Sequence, residues 1–251
     1  MLPAWQYPVL FGAGLAAGLL DSIAGGGGLI TLPVLLGVGL PPQAALGTNK
    51  LQSCFGSGSA TRHFVQAGTV RLRECGPGIA FTFVGAALGA WTVQRLSPEL
   101  LRAIIPWFLV SIAAYVLVSP RLGFHDHPPR MRAFPFFAAA GLGFGFYDGF
   151  FGPGVGSFWV LAIMLVLGFN MTKATGWTKV MNFTSNVAAL GVFAIGGHVW
   201  LAEGLAMAAG EIVGARIGAG LVVKRGARLI RPIFISVALA ITAKLLWDQW
   251  R

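Results

Sequence analysis

Apolar blocks of helix length follow one another along this 251-residue chain, and the short junctions between them hold most of its charge. Charged residues make up only 10% of the sequence and hydrophobic residues 56%. A soluble domain carries about a quarter charged residues, so there is too little charge here to cover a water-facing surface. Crossing a bilayer takes about 20 apolar residues per helix, so the chain holds at most roughly ten spans. The pattern predicts an all-α polytopic membrane protein. It excludes a soluble enzyme, a nucleic-acid-binding domain and a secreted disulfide scaffold. The 18 Lys and Arg residues against 8 Asp and Glu give a net charge of +10. The basic residues lie in junctions, as they do in cytoplasmic loops. Cys54 and Cys75 have no zinc or redox spacing, and no cofactor or metal motif is present. Residues 1–6 carry no Lys or Arg, unlike the start of a cleaved signal peptide, so the first apolar block is expected to stay.

The blocks repeat. Asp21 precedes the glycine run Gly25, Gly26, Gly27 and Gly28, and Asp148 precedes Gly152-Pro153-Gly154. Ala45, Gly47 and Lys50 reappear in order as Ala174, Gly176 and Lys179. An aspartate, a glycine break and a lysine recurring in one order indicate an internal duplication. The predicted organisation is a first membrane repeat at 1–119, a polar linker at 120–132 and a second repeat at 133–251. Each repeat would hold a Gly-rich broken or re-entrant helix pair plus about three spans, for 8–10 membrane segments in total. If the two repeats have inverted topology, eleven of the 18 basic residues fall on one side and four on the other; parallel repeats would lose that bias. The positive-inside rule then puts the linker in the cytoplasm and the C-terminus outside.

Consecutive glycines hold a helix poorly, and backbone freed within a membrane is tolerated where it lines a cavity. The breaks at Gly25–Gly28 and at Gly152 and Gly154 are therefore candidate substrate positions, with half-helix N-termini offering N–H groups to an anion. Spaced pairs such as Gly85/Gly89 and Gly214/Gly218 suit close helix packing. Lys50 and Lys179 lie inside spans among polar neighbours: Thr48, Asn49 and Ser53 in one half, Asn182, Ser185 and Asn186 in the other. Intramembrane ionisable groups mark substrate pathways. Neither lysine has an acidic residue within a helical turn, so each is expected to be free to attract an anion. Asp21 and Asp148 suit either capping of the following half-helix or binding of a coupling H+ or Na+. Glu211 and Arg216 are expected to form a buried ion pair, and the tryptophans to flank the spans as a headgroup belt.

The stretch from Asp21 to Ser57, with Ala45-Leu46-Gly47-Thr48-Asn49-Lys50, resembles the first half-motif of the sulfite exporter TauE/SafE family. The stretch Gly145-Phe146-Tyr147-Asp148-Gly149-Phe150-Phe151-Gly152-Pro153-Gly154, followed by Lys179, Asn182 and Asn186, resembles the second. The resemblance covers essentially the whole chain. It implies a multi-pass permease of the inner membrane, in contact with lipid, that moves a small anion such as sulfite or an organosulfonate. It carries family polar positions onto Asn49, Lys50, Lys179, Asn182 and Asn186. Trp177-Thr178 stands where the first half has Thr48-Asn49, so the two lysine motifs are not chemically equivalent. The expected function is a secondary transporter, an exporter, working by alternating access with its site between the repeats. The alternatives are an uncoupled anion channel of the same architecture and an intramembrane aspartyl enzyme using Asp21 and Asp148. A reporter fused to the C-terminus is expected to be active only outside the cytoplasm; activity confined to the cytoplasm would overturn the inverted arrangement.

Overall fold

The computed structural model describes residues 3–24, 26–118 and 126–225. Among these, regular structure is entirely helical: α1 (Gln6–Ala24), α2 (Gly28–Gly37), α3 (Pro42–Gln66), α4 (Gly76–Val93), α5 (Pro98–Val118), α6 (Ala133–Phe150), α7 (Val155–Ala162), α8 (Met171–Ile195) and α9 (Leu201–Arg225). A 3-10 turn at Leu72–Cys75 leads into α4, and a π-helical turn at Ile163–Leu167 extends α7. Gly25, linker residues 120–125, the apolar block at 232–247 and the C-terminus lie outside the described residues.

By length and composition, two helices in the described residues suffice to cross a bilayer: Leu72–Val93 with 22 residues and Leu201–Val223 with 23. Others are long but diluted with glycine and polar residues, notably α3 and α8 at 25 residues each. The distribution of those residues is nevertheless the reverse of a soluble protein's. Phe83, Leu88, Trp91 and Trp107 are exposed, whereas Asn49, Lys50, Asp148, Lys179 and Asn182 are buried. An apolar exterior around a polar centre matches hydrocarbon as solvent. Two tryptophans depart from the expected headgroup belt. Trp159 and Trp177 are buried, and Trp177 stacks on Phe137 with centroids 5.6 Å apart and planes 13° apart.

Glycine decides how the helices pair. A Cβ at Gly89 would lie 2.0 Å from the carbonyl oxygen of Phe146, and one at Gly149 would lie 2.0 Å from that of Ala86, so α4 and α6 touch backbone to backbone. The same closeness joins α1 to α9, where Gly14 meets Met207 and Gly214 meets Leu15. Such approach is open only to small residues. The contacts also give direction. Gly85 meets Leu142 and Gly89 meets Phe146, so α4 and α6 are parallel. Thr48 meets Gly204, Gly56 meets Glu211 and His63 is nearest Gly220, so α3 and α9 are parallel. By contrast, Gly47 packs on His198, Gly58 on Phe183 and Gly176 on Phe64, so α3 and α8 run antiparallel. The end of α3 and the start of α8 therefore share one side, which carries Arg62, Arg71, Arg73 and Lys173.

Both glycine breaks are turns of helical hairpins. The Gly27 N–H donates to Asp21 Oδ1 at 3.3 Å, and Gly27 packs against Ala17 and Asp21, so the chain doubles back along α1. In the second hairpin, Tyr147 and Phe144 of α6 meet Phe158 of α7 with centroids 5.5 and 6.2 Å apart. The Tyr147 hydroxyl closes that turn by donating to the Pro153 carbonyl at 2.8 Å. The two turns touch, Gly28 against Pro153. Described linker residues are tied to the end of the second hairpin: the His127 N–H donates to the Gly168 carbonyl at 2.8 Å, and the Arg130 N–H to that of Val166 at 2.8 Å.

Substituting Gly89→Val is expected to lower stability by about 1–3 kcal/mol through overpacking, read as a lower Tm of the detergent-purified protein. Gly143→Ala, with nothing within 4 Å of the new methyl, should leave the Tm unchanged or raise it slightly.

Candidate functional site: a buried polar cavity at the helix breaks

Two long helices and two hairpin turns converge on one polar cavity. Helix α3 begins at Pro42, whose fixed φ suits a first helical turn, and carries Asn49, Lys50 and Ser53 to the centre of the bundle. Helix α8 is capped by Asn170, whose side chain accepts from the Lys173 N–H at 3.0 Å, and brings Lys179, Asn182 and Asn186 on one helical stripe. The cavity is lined by Asp21, Gly28, Asn49, Lys50, Ser53, Asp148, Gly152, Gly154, Val155, Asn182 and Asn186. Its volume is about 20 Å³, room for roughly one water molecule.

The lysines are not free, which corrects the sequence expectation. Lys50 Nζ donates to Asp148 Oδ1 at 2.6 Å and also to the Asp148 carbonyl. Lys179 Nζ donates to Asp21 Oδ2 at 2.8 Å and also to the Asp21 carbonyl. Each lysine thus pairs with the aspartate of the other half of the chain. Inspection within single helices misses this, because the partners are 98 and 158 residues away in sequence. The signal that could have found it is the recurrence in the sequence of an aspartate and a lysine in the same order, at Asp21 and Lys50 and again at Asp148 and Lys179, which supplies two crossed pairs. No hydrogen bond joins the two aspartates to each other.

The pairs differ. Asp148 accepts a second bond, at Oδ2, from the Ser185 hydroxyl, and its side chain is 4% exposed. The Asp21 side chain is 18% exposed, and its other oxygen takes the Gly27 N–H. The residue of α3 equivalent to Ser185 is Gly56, which has no hydroxyl and packs against Glu211. Glu211 itself is buried with Oε2 unpartnered. The expected Glu211–Arg216 pair is not among the ion pairs of the described residues. Five positions along a helix put the two side chains about 140° apart, beyond the reach of i,i+3 or i,i+4 neighbours.

Of the sequence candidates, Gly28, Asn49, Lys50, Gly152, Gly154, Asn182, Asn186, Asp21 and Asp148 line the cavity. Lys179 reaches it through Asp21. Asn49 Oδ1 is occupied, accepting from Thr31 Oγ1 at 2.5 Å and from Gln52 Nε2 at 2.9 Å, whereas Asn182 Oδ1 has no partner. Gly152 and Gly154 adopt φ of +101° and +82°, and a Cβ at Gly152 would lie 2.7 Å from Lys50 Nζ. Thr48 is elsewhere: its hydroxyl accepts from the Trp200 N–H at 2.9 Å and fixes the start of α9. Gly26 and Gly27 form the first turn without lining the cavity, and Gly25 is outside the described residues.

A buried polar centre with crossed charge pairs at broken helices, inside an apolar exterior, is the architecture of a membrane transporter. The chain belongs to the sulfite exporter TauE/SafE family, whose sequence model matches residues 10–245. It is 47% identical over 241 residues to the probable membrane transporter protein YfcA of Escherichia coli strain K12, covering 96% of this chain and 90% of that one. A probable membrane transporter protein of Haemophilus influenzae is 43% identical over 241 residues, covering 96% of this chain and 94% of its own length. A sulfite exporter TauE/SafE family protein of Arabidopsis thaliana is 34% identical over 115 residues, 44% of this chain and 26% of that one. No solved structure matches the chain significantly.

Removing one partner of a buried pair strands the other charge, at about 3–5 kcal/mol. Lys50→Met is expected to lower the Tm more than Lys179→Met, because Asp148 is the more deeply buried carboxylate. The double variants Lys50→Met/Asp148→Asn and Lys179→Met/Asp21→Asn should each recover much of the loss. Double variants no more stable than the single ones would contradict the crossed pairing.

Proposed function

We propose that the chain is a secondary transporter of the inner membrane that exports a small anion, sulfite or an organosulfonate, by alternating access. Its two repeats, at 1–119 and 133–251, have inverted topology and are joined by a cytoplasmic linker. The antiparallel run of the equivalent helices α3 and α8 supports inversion, as does the gathering of basic residues on one side. The observation that carries the reading is the pair of lysines at the cavity, each held by an aspartate from the opposite repeat. An ammonium in hydrocarbon needs an anionic partner, and a transported anion competes with the aspartate for that place. The carboxylate displaced from its lysine is where H+ or Na+ couples. Asn49, Asn182, Asn186 and the half-helix starts at Gly28 and Gly154 hold the anion's oxygens.

A cavity of about 20 Å³ is smaller than a sulfite ion needs, so loading requires the hairpin turns at Gly28 and Pro153 to part. Breaking the crossed pairs frees one repeat to move against the other, which couples loading to the change of access. The membrane potential, negative inside, drives an anion outward with about 2.3 kcal/mol per charge per 100 mV.

The test is flux of radiolabelled sulfite into proteoliposomes preloaded with sulfite. Saturable counterflow is expected. Lys179→Met should weaken sulfite binding about ten- to a hundredfold, the value of one charge-assisted contact. Gly152→Ala should abolish flux, because its methyl displaces the Lys50 ammonium. Non-saturating flux without counterflow would identify a channel, and no sulfite or sulfonate flux by the folded protein would overturn the substrate.

A further inference from the structure

A second cavity, of about 370 Å³, lies between α3, α8 and α9. We propose that it is a vestibule with its own oxyanion-binding site, made by Arg62, Arg216 and His63, which loads the buried cavity; the inference rests on the small-anion reading above.

Arg216 is the first observation. It lies within α9, fifteen residues after the helix's first residue, Leu201. An arginine within a membrane segment lasts only where it meets a partner or water. The ion pairs among the described residues are Lys50–Asp148, Lys179–Asp21 and the surface pair Arg71–Glu74. Arg216 belongs to none of them, and it opens instead into this cavity. Arg62 lines the same cavity from α3 and is equally without a carboxylate partner there. The two helices are joined at this level by the Ser59 hydroxyl, which donates to the Ile212 carbonyl at 3.4 Å. His63 and Gln66 add further polar groups to the wall. Two guanidiniums that pair with no carboxylate among the described residues, in one concave site, select a planar or tetrahedral oxyanion, whose oxygens match their paired N–H groups. The volume falls in the range of about 300–1,000 Å³ typical of small-molecule sites.

Position is the second observation. Cys54 and Phe183 of the vestibule wall directly follow Ser53 and Asn182, which line the buried cavity. The walls of the two spaces are therefore neighbours on both α3 and α8. The vestibule lies toward the C-terminal ends of α3 and α9, the side on which the basic residues gather. An anion concentrated there is next to the lysine pairs when the hairpin turns part. A phospholipid headgroup presents the same phosphate-type chemistry, and the test separates the two sources.

Cys54 is a built-in reporter. In a Cys75→Ser background it is the only thiol, since the chain has two cysteines. The protein is placed in nanodiscs of neutral phosphatidylcholine and labelled with methanethiosulfonates bearing either a sulfonate or a trimethylammonium, each rate being normalised to a free thiol. The anionic reagent is expected to react at least about tenfold faster, as in a cleft that concentrates one sign of charge. Arg62→Gln/Arg216→Gln should bring the ratio near one, and free methanesulfonate should protect Cys54. Equal rates in the parent, no labelling by either reagent, or a ratio unchanged by the double substitution would overturn the site. Protection by added phosphatidylglycerol but not by methanesulfonate would assign the site to lipid and overturn the loading role. Sulfite counterflow beside an unselective Cys54 would remove the vestibule alone. The expected ratio beside absent sulfite flux would remove the substrate assignment alone.

Discussion

Two ammonium groups buried in an apolar bundle have to be neutralised, and each is neutralised by an aspartate from the opposite half of the chain. Lys50 with Asp148 and Lys179 with Asp21 are side-chain contacts, yet their consequence is architectural. Each lysine also takes the backbone carbonyl of its aspartate, so the ammonium grips the end of a helix as well as a carboxylate. Those helix ends are where the hairpins turn. Loss of either pair would leave both a stranded charge and an untethered hairpin.

Glycine makes that arrangement reachable. The helices bearing the aspartates, α1 and α6, lie against α9 and α4 at backbone contact, which fixes how far each hairpin projects. The turns then meet at Gly28 and Pro153 with little space between them. A polar centre whose charged side chains are this buried strengthens every interaction among them. It also means that nothing larger than water enters without movement of the turns.

Much of this was legible in the sequence, because the rules for hydrocarbon are strict. Apolar blocks announced the helices, and the glycine runs announced breaks. Lys50, Asn49, Asn182 and Asn186 were placed at the cavity by helical spacing together with family resemblance. What spacing along one helix cannot give is contact between helices. Lys50 and Lys179 read as free because a single-helix view contains no aspartate, and Glu211 and Arg216 read as a pair because they are close in sequence while pointing apart. Thr48 shared the polar stretch of Asn49 and Lys50 but faces α9, one residue of helical rotation away. Trp159 and Trp177 were hidden by an average: tryptophan favours the headgroup zone, but a core rich in phenylalanine offers it stacking partners.

The crossed pairing has a consequence for biosynthesis. Asp21 leaves the ribosome 158 residues before Lys179, and at about 5–20 residues per second that interval is roughly 8–30 s. For that time the first hairpin has a carboxylate without its lysine and a glycine face on α1 without α9. Its contacts to Lys179 and α9 cannot form until the second half of the chain has been made. The earliest-made part of the protein thus completes its contacts only after Lys179 and α9 have been made.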